Sequence, residues 1–163
     1  MKDDHQAEDH KEGAVVMRPR DWLLILLRQA RPEEPDTLDP VRVQKGMFYF
    51  ASKSIVPAKE KYNFVPYYFG PCSFDIYRDI EQSIHEGLIE AVPVSGQSWR
   101  KYTLTEQGLE RANKLASAAP SHAVQACAAA RSRVIGHTFR TLLKEVYEQY
   151  PEYAVESVLK NLP

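Results

Sequence analysis

The sequence predicts a mainly α-helical α+β protein: a winged-helix-like core with a two-stranded wing, followed by a C-terminal helical extension. Three observations predict it. Three helical segments come first, each behind a residue suited to start one: Asp21, Asp39 and Ser73. Two strand-like runs follow, 88–94 and 99–105, joined by Ser95-Gly96-Gln97-Ser98, the pattern of a hairpin. More helical segments then run to residue 162. Helix, helix, helix, hairpin is the order of a winged helix, the hairpin being its wing.

The elements follow from local chemistry. Residues 1–19 lack apolar periodicity and are expected to form a disordered tail before a core over 20–117 and an extension over 118–163. Asp21 is placed to cap a helix holding Trp22–Leu27, which is apolar on most sides and so expected to be buried. Pro32, Pro35 and Pro40 break it. Asp39-Pro40 restarts the chain as a helix to about Ser54, with Val43, Met47 and Phe50 at i, i+4 and i+7 on its core face.

YNFVPYYFGPCS, residues 62–73, reads as an extended aromatic segment. Pro66 keeps it from a central strand position, and Gly70-Pro71 marks a turn. Alternation along a regular strand sends neighbouring residues to opposite faces, so Phe64 parts from Val65 and Tyr67 from Tyr68. Ser73 is expected to cap a third helix, Phe74–Glu86, with Ile76, Tyr77, Ile80 and Ile84 inward and Gly87 as its stop.

After the hairpin, Thr105 caps a helix to about Ala116, with Leu109, Ala112 and Leu115 inward and Gly108 weakening the first turn. Residues 123–135 are alanine-rich and helix-prone. His137–Tyr150 is amphipathic, with Phe139, Leu142, Leu143, Val146 and Tyr147 on one side. Pro151 ends it, and Tyr153–Leu162 forms a last short helix.

Composition sets limits on function. With 163 residues, 44% hydrophobic and 26% charged, the chain suits one ordinary domain. A net charge of -1 supplies no bulk attraction to nucleic acid or anionic lipid, so either would need a local basic patch. MKDDHQAEDHKEG has no apolar stretch of a signal peptide, and Trp22–Leu27 falls far short of a membrane span, so a cytoplasmic location with no membrane partner is expected. Cys72 and Cys127 are expected to be reduced thiols.

The motifs VQKGMFYFA, YNFVPYYFGPCSFDIY, EGLIE and KYTLTEQG, in that order, resemble the YwgA-like proteins of bacteria and archaea. VYEQYPEYAVESVLK, residues 146–160, is similar to the end of such chains. More distantly, the chain is similar to Panacea (SocA-like) antitoxin domains, which share a helix reading roughly LQKLLYF and a later YGP before a helix. The resemblance covers about residues 20–163. It implies a helical fold of winged-helix character and, for the Panacea type, neutralisation of a toxin by protein contact. Gly46 departs from the pattern, which usually carries Leu there; the missing side chain leaves room for an aromatic ring. Cys72 stands where the family tolerates several residue types.

Four functions compete. In a winged helix the third helix reads DNA, but here it carries Asp75, Asp79, Glu81 and Glu86 against Arg78, which opposes phosphate contact. A DNA-binding regulator would rely instead on Arg100 and Lys101 in the wing and on the loose basic group of Arg42, Lys45, Lys53, Lys59 and Lys61. Protein binding suits the aromatic run better, since Tyr and Phe are common interface anchors. The expected contact residues are Phe64, Tyr67, Tyr68 and Phe69 with Asp75, Arg78 and Asp79 of the third helix. Arg131, Arg133, Arg140 and Lys144 make the C-terminal helices basic on a solvated side, opposite an apolar side that packs on the core or joins a homodimer.

Catalysis is disfavoured. Cys72 and His85 have no third residue to orient a base, no glycine-rich phosphate loop is present, and the carboxylates are scattered. His5, His10, His85, His122 and His137 form no metal-ligand pattern beyond adventitious binding in the tail. The expectation is a non-enzymatic prokaryotic protein-interaction module, regulatory and antitoxin-like or defence-associated, with no cofactor and no metal. A DNA-binding transcriptional regulator is the alternative.

Overall fold

The computed structural model describes residues 16–159. Helix α1 spans Pro19–Leu27. Of the tail expected over 1–19, residues 1–15 lie outside the described residues, while Met17 is buried in the core. Asp21 does not occupy the cap position; it sits one turn inside, and its carboxylate accepts the Arg18 backbone N–H at 2.9 Å. Pro19 takes the first helical position, where its missing N–H costs nothing. Every residue from Trp22 to Leu27 is buried, because α1 is walled by four other helices. The Trp22 ring lies 4.7 Å from Phe50, and its Nε1–H donates to Glu60 at 2.9 Å.

Helix α2, Pro40–Lys53, starts as expected: the Asp39 carboxylate accepts the Arg42 N–H at 3.0 Å. Val43, Met47 and Phe50 are all buried. Gly46 makes room for an aliphatic side chain rather than an aromatic ring. A Cβ there would stand 3.0 Å from Leu26 Cδ2, so α1 already fills the space.

Strands β1 (Val65–Tyr67) and β2 (Gly70–Cys72) pair antiparallel, with Tyr67 opposite Gly70. The turn is therefore Tyr68-Phe69, and Gly70-Pro71 belongs to the second strand. Two-residue hairpin turns usually need a positive φ at a central residue. Neither ring residue has one; Gly70 supplies it just after the turn, at φ 89°. Pro66 faces Pro71, which a two-stranded sheet tolerates because both strands are edges.

Helix α3 runs Phe74–His85. Ser73 holds the cap position without capping chemistry, and its hydroxyl is buried without a partner. The Gln44 side chain instead takes both backbone groups of Ser73, accepting its N–H and donating to its carbonyl, each at 2.9 Å. Ile76 and Ile80 are buried and Ile84 partly so, but Tyr77 faces outward at the edge of that stripe. The helix ends in a Schellman motif: Gly87 N–H to Ile84 at 3.0 Å and Leu88 N–H to Ser83 at 2.8 Å, with Gly87 at φ 76°.

Strands β3 (Ile89–Pro93) and β4 (Arg100–Leu104) form the expected antiparallel hairpin, Ile89 opposite Leu104. Leu38, between α1 and α2, adds to the far edge of β4. Its N–H reaches Tyr102 O at 3.0 Å, and the Tyr102 N–H returns to Leu38 O at 2.8 Å. Helix α4, Glu106–Ala118, is capped by the Thr105 hydroxyl, which accepts the Gly108 N–H at 2.9 Å. Gly108 is a requirement of packing rather than a weakness: a Cβ there would lie 1.9 Å from the Leu88 carbonyl oxygen. Ala112 is buried as expected, but Leu109 is exposed.

Helices α5 (Ser121–Ile135) and α6 (Phe139–Gln149) join the same core. Ala123, Cys127 and Ala130 are buried, and their small side chains let α5 lie close to α1 and α2. Arg131 departs from the expected solvated side. It is buried, donating to the Leu26 carbonyl at 2.7 Å, to the Glu34 carboxylate at 3.2 Å and to the Pro35 carbonyl. It thereby satisfies a backbone group left open at the end of α1. Leu142, Leu143 and Val146 are buried against the chain's own core, while Phe139 of the same stripe stays exposed. The expected last helix is reduced to a 3₁₀ turn, Pro151–Tyr153, followed by irregular chain; residues 160–162 of it lie outside the described residues. Val158 N–H donates to the Tyr68 carbonyl at 3.0 Å. Among the described residues no helix is long and apolar enough to cross a membrane.

Candidate protein-interaction surface

The aromatic segment divides between core and solvent. Tyr62 is buried and its hydroxyl donates to Asp79 at 2.6 Å. Phe64 packs edge-on against Phe48 at 5.3 Å, so this expected contact residue belongs largely to the core. Tyr150 and Tyr153 close on the same Phe48 ring. The turn lies outside this cluster, and Tyr67, Tyr68 and Phe69 stay 37%, 52% and 39% exposed.

These outer rings are ordered by one another. Tyr67 and Tyr68 stack at 4.3 Å, 17° from parallel. Phe74, the first residue of α3, meets Tyr67 edge-on at 5.1 Å, and Tyr77 lies beyond it at 6.5 Å. On the other side Phe69 meets Phe139, from the start of α6, at 5.6 Å. The result is a band of exposed rings. It is continuous with a cavity of about 480 Å³ walled by Phe69, Tyr77, Trp99 and Phe139, with Asp39, Val41 and Arg42 at one end.

The sequence reading found Tyr67–Phe69 but missed Trp99 and Phe139. Phe139 falls on the apolar stripe of α6, yet sits directly after the Thr138 cap, at the end of the helix that overhangs the core. Trp99 had a signal available. Tyr102 points inward, so period-two alternation sends position 99 to the outer face.

Charge around the band differs from the residue count. Asp75 pairs with Arg78 at 2.7 Å, Glu81 with Arg100 at 3.0 Å, and Glu86 with Arg20. Asp79 takes the Tyr62 hydroxyl. The acidity of α3 is thus met by arginines and a tyrosine, not left open to a partner.

The basic group does not assemble into a face. Lys45 is buried, and its Nζ donates to the Pro71 carbonyl at 2.9 Å, so no phosphate can reach it in this structure. Burial pulls its pKa down to about 8, with the neighbouring Cys72 acting the other way. Arg42 is committed to Asp39 and to the carbonyls of Val134 and His137. Lys61 donates to the Ser54 carbonyl at 2.7 Å. Arg100 is held by Glu81, while Lys101 enters none of the ion pairs of the described residues.

Cys72 and His85 stand at opposite ends of α3, on the order of 16 Å apart along its axis. Burial pushes the Cys72 thiol up, partly offset by Lys45, which is the reverse of an activated thiolate. Cys127 is pushed up to about 12 by its burial. Among the described residues no three His, Cys, Asp or Glu side chains gather as metal ligands; His5 and His10 lie outside them. Comparison with models of known protein families finds no match, and comparison with curated proteins finds none either.

Proposed function

We propose that this chain is a non-enzymatic protein-interaction module of a prokaryotic cytoplasm, regulatory in role and antitoxin-like or defence-associated in type. The observation that carries the proposal is the band of Tyr67, Tyr68, Phe74, Tyr77, Phe69 and Phe139. Six large rings stay at the surface, Tyr67, Tyr68, Phe74 and Tyr77 in one touching group and Phe69 with Phe139 in another, although the chain has a complete core beneath them. Exposed aromatic patches of this kind mark binding surfaces.

The winged-helix reading gains support from Leu38, whose bridge to Tyr102 adds a short third strand to the hairpin from between the first two helices. Gln44 and Lys45 of VQKG hold the backbone of Ser73 and Pro71 in GPCS, which joins two of the segments on which the YwgA-like resemblance rests.

The test is recovery of a tagged chain from its native host alongside Tyr67→Ala/Tyr68→Ala. A protein partner recovered with the parent and lost with the double variant is the expected result. Absence of any partner, or one indifferent to both rings, refutes the proposal. Tight binding to a short DNA duplex that weakens steeply with salt would favour the regulator reading, centred on Arg100 and Lys101.

A further inference from the structure

The cavity bordered by Phe69, Tyr77, Trp99 and Phe139 selects its occupant through its own walls. Pro40 and Val41 complete a mostly apolar lining, and Asp39 and Arg42 are its only charged residues. Those two charges cancel. The Asp39 carboxylate accepts the Arg42 backbone N–H at 3.0 Å and pairs with its guanidinium. The guanidinium Nε–H and Nη2–H groups go to the Val134 carbonyl at 3.2 Å and the His137 carbonyl at 2.7 Å. The two side chains are only 16% and 22% exposed. An ionic guest would leave water for a wall with no free charge to meet it.

A peptide is disfavoured on the same ground. Each of its residues brings an N–H and a C=O that need partners, and an apolar wall leaves them unpaired. A lone inserted side chain is too small. The volume of about 480 Å³ lies within the roughly 300–1,000 Å³ of pockets that enclose small ligands. What the wall does supply is rings. Four of them border one space, from the β1–β2 turn, α3, the loop before β4 and the start of α6. Phe69 and Phe139 already meet at 75°, with 5.6 Å between centroids. Edge-on and offset contacts with such rings favour an aromatic guest over an aliphatic one of equal area.

We propose that this cavity binds an uncharged, flat aromatic small molecule, held by ring contacts with Phe69, Tyr77, Trp99 and Phe139. Binding of this kind goes beyond the interaction reading and does not depend on it. Phe69 and Tyr77 also belong to the aromatic band, so an occupant borders the surface proposed for a partner.

The chain's two tryptophans make the test specific. Trp99 lines the cavity, whereas Trp22 is fully buried with its Nε1–H held by Glu60 at 2.9 Å. Both indole N–H signals of the isotope-labelled full chain are followed by NMR at neutral pH. The probes titrated are naphthol, naphthoate, naphthylmethylammonium and octanol. Naphthol is expected to shift the Trp99 signal saturably, with a Kd of roughly 0.1 mM or below, and to leave the Trp22 signal in place. The two ions and octanol should bind about tenfold more weakly. Phe139→Ala should weaken naphthol about tenfold, as should Trp99→Ala read by calorimetry. Tyr68→Ala, in the band but outside the cavity, should change its Kd less than about twofold. All three positions are exposed, and unchanged melting temperatures confirm intact folding. The proposal is overturned if naphthol leaves the Trp99 signal unmoved, if either ion or octanol binds as tightly, or if affinity survives both cavity variants. A native partner lost with Tyr67→Ala/Tyr68→Ala bears on the interaction reading alone, so the two ideas fail separately.

Discussion

Arg131 and Glu34 form an ion pair at 3.2 Å with side chains only 1% and 2% exposed, joining α5 to the loop after α1. The arginine also reaches the Leu26 and Pro35 carbonyls, and the carboxylate accepts the Ala30 N–H at 2.8 Å. Removing Arg131 leaves the buried Glu34 carboxylate only the half-exposed Arg31, at 3.5 Å. Arg131→Met is expected to lower the unfolding free energy by about 3–5 kcal/mol in urea titration. Arg131→Met/Glu34→Met should recover a large part of that loss, because neither charge is then buried alone. A double variant as unstable as the two single losses added together would show that the pair acts through packing alone.

Gln44 is the clasp between α2 and the start of α3. Gln44→Leu keeps the volume but strands the N–H and carbonyl of Ser73, so a loss of about 2–4 kcal/mol is expected from two unpaired buried groups. Equilibrium denaturation measures it. A loss below about 1 kcal/mol would mean that water or a shifted backbone replaces both bonds.

Two glycines should respond to alanine in opposite ways. Gly108→Ala drives a Cβ into the Leu88 carbonyl and is expected to cost about 3 kcal/mol or more. Gly96→Ala meets nothing within 4 Å and loses only the freedom to hold φ 76°, about 1–2 kcal/mol. Melting curves of the two variants should separate clearly, with Gly108→Ala the lower.

Lys45 makes stability depend on pH in the alkaline range. Its pKa is about 8 in the folded chain against 10.5 for the free group. Between these values the unfolded chain holds more protons, so the Lys45 contribution raises stability as pH rises. The full penalty is present below pH 8. Lys45→Met should therefore compare best with the parent near pH 7. The comparison should move toward the parent, by up to roughly 3 kcal/mol, as pH approaches 10.5. Tyrosine titration is common to both chains and cancels. A pH-independent difference would show that Lys45 stays charged in the folded protein throughout.

Where the deciding chemistry is local, the sequence was readable. Asp39-Pro40, Thr105 and Gly87 end or begin their helices through bonds to residues within four positions, and all three behave as expected. The aromatic turn was harder because its positive φ falls on Gly70, after the turn, so the glycine marks the strand instead. Arg131 looked like a surface cation because its acceptors lie in α1 and the loop beyond, distant in sequence. The cavity walls come from the β1–β2 turn, the start of α2, α3, the loop before β4 and α6, and no spacing rule connects Trp99 with Phe139. Half of the band was visible as a cluster of rings; the other half exists only once the helices are packed.

The β3–β4 hairpin is anchored in the core at one end and held only at the surface at the other. Thr105 N–H reaches the Leu88 carbonyl at 3.1 Å, the Thr105 hydroxyl reaches Gly87 O at 2.7 Å, and Gly108 presses on Leu88 from α4. Leu38 adds a further tie at Tyr102. The far end, 95–99, carries Trp99, one wall of the cavity, and is held more lightly, by the Gln97 N–H to Val94 O at 3.0 Å and by the neighbouring Arg100–Glu81 pair at 3.0 Å. The hairpin thus works as a cantilever: its root is clamped, and any give is concentrated at the tip. Backbone amides at 95–99 should exchange with solvent far faster than those of Leu88, Tyr102 and Thr105. If they do, Trp99 is the wall of the cavity that can shift at least cost to the core.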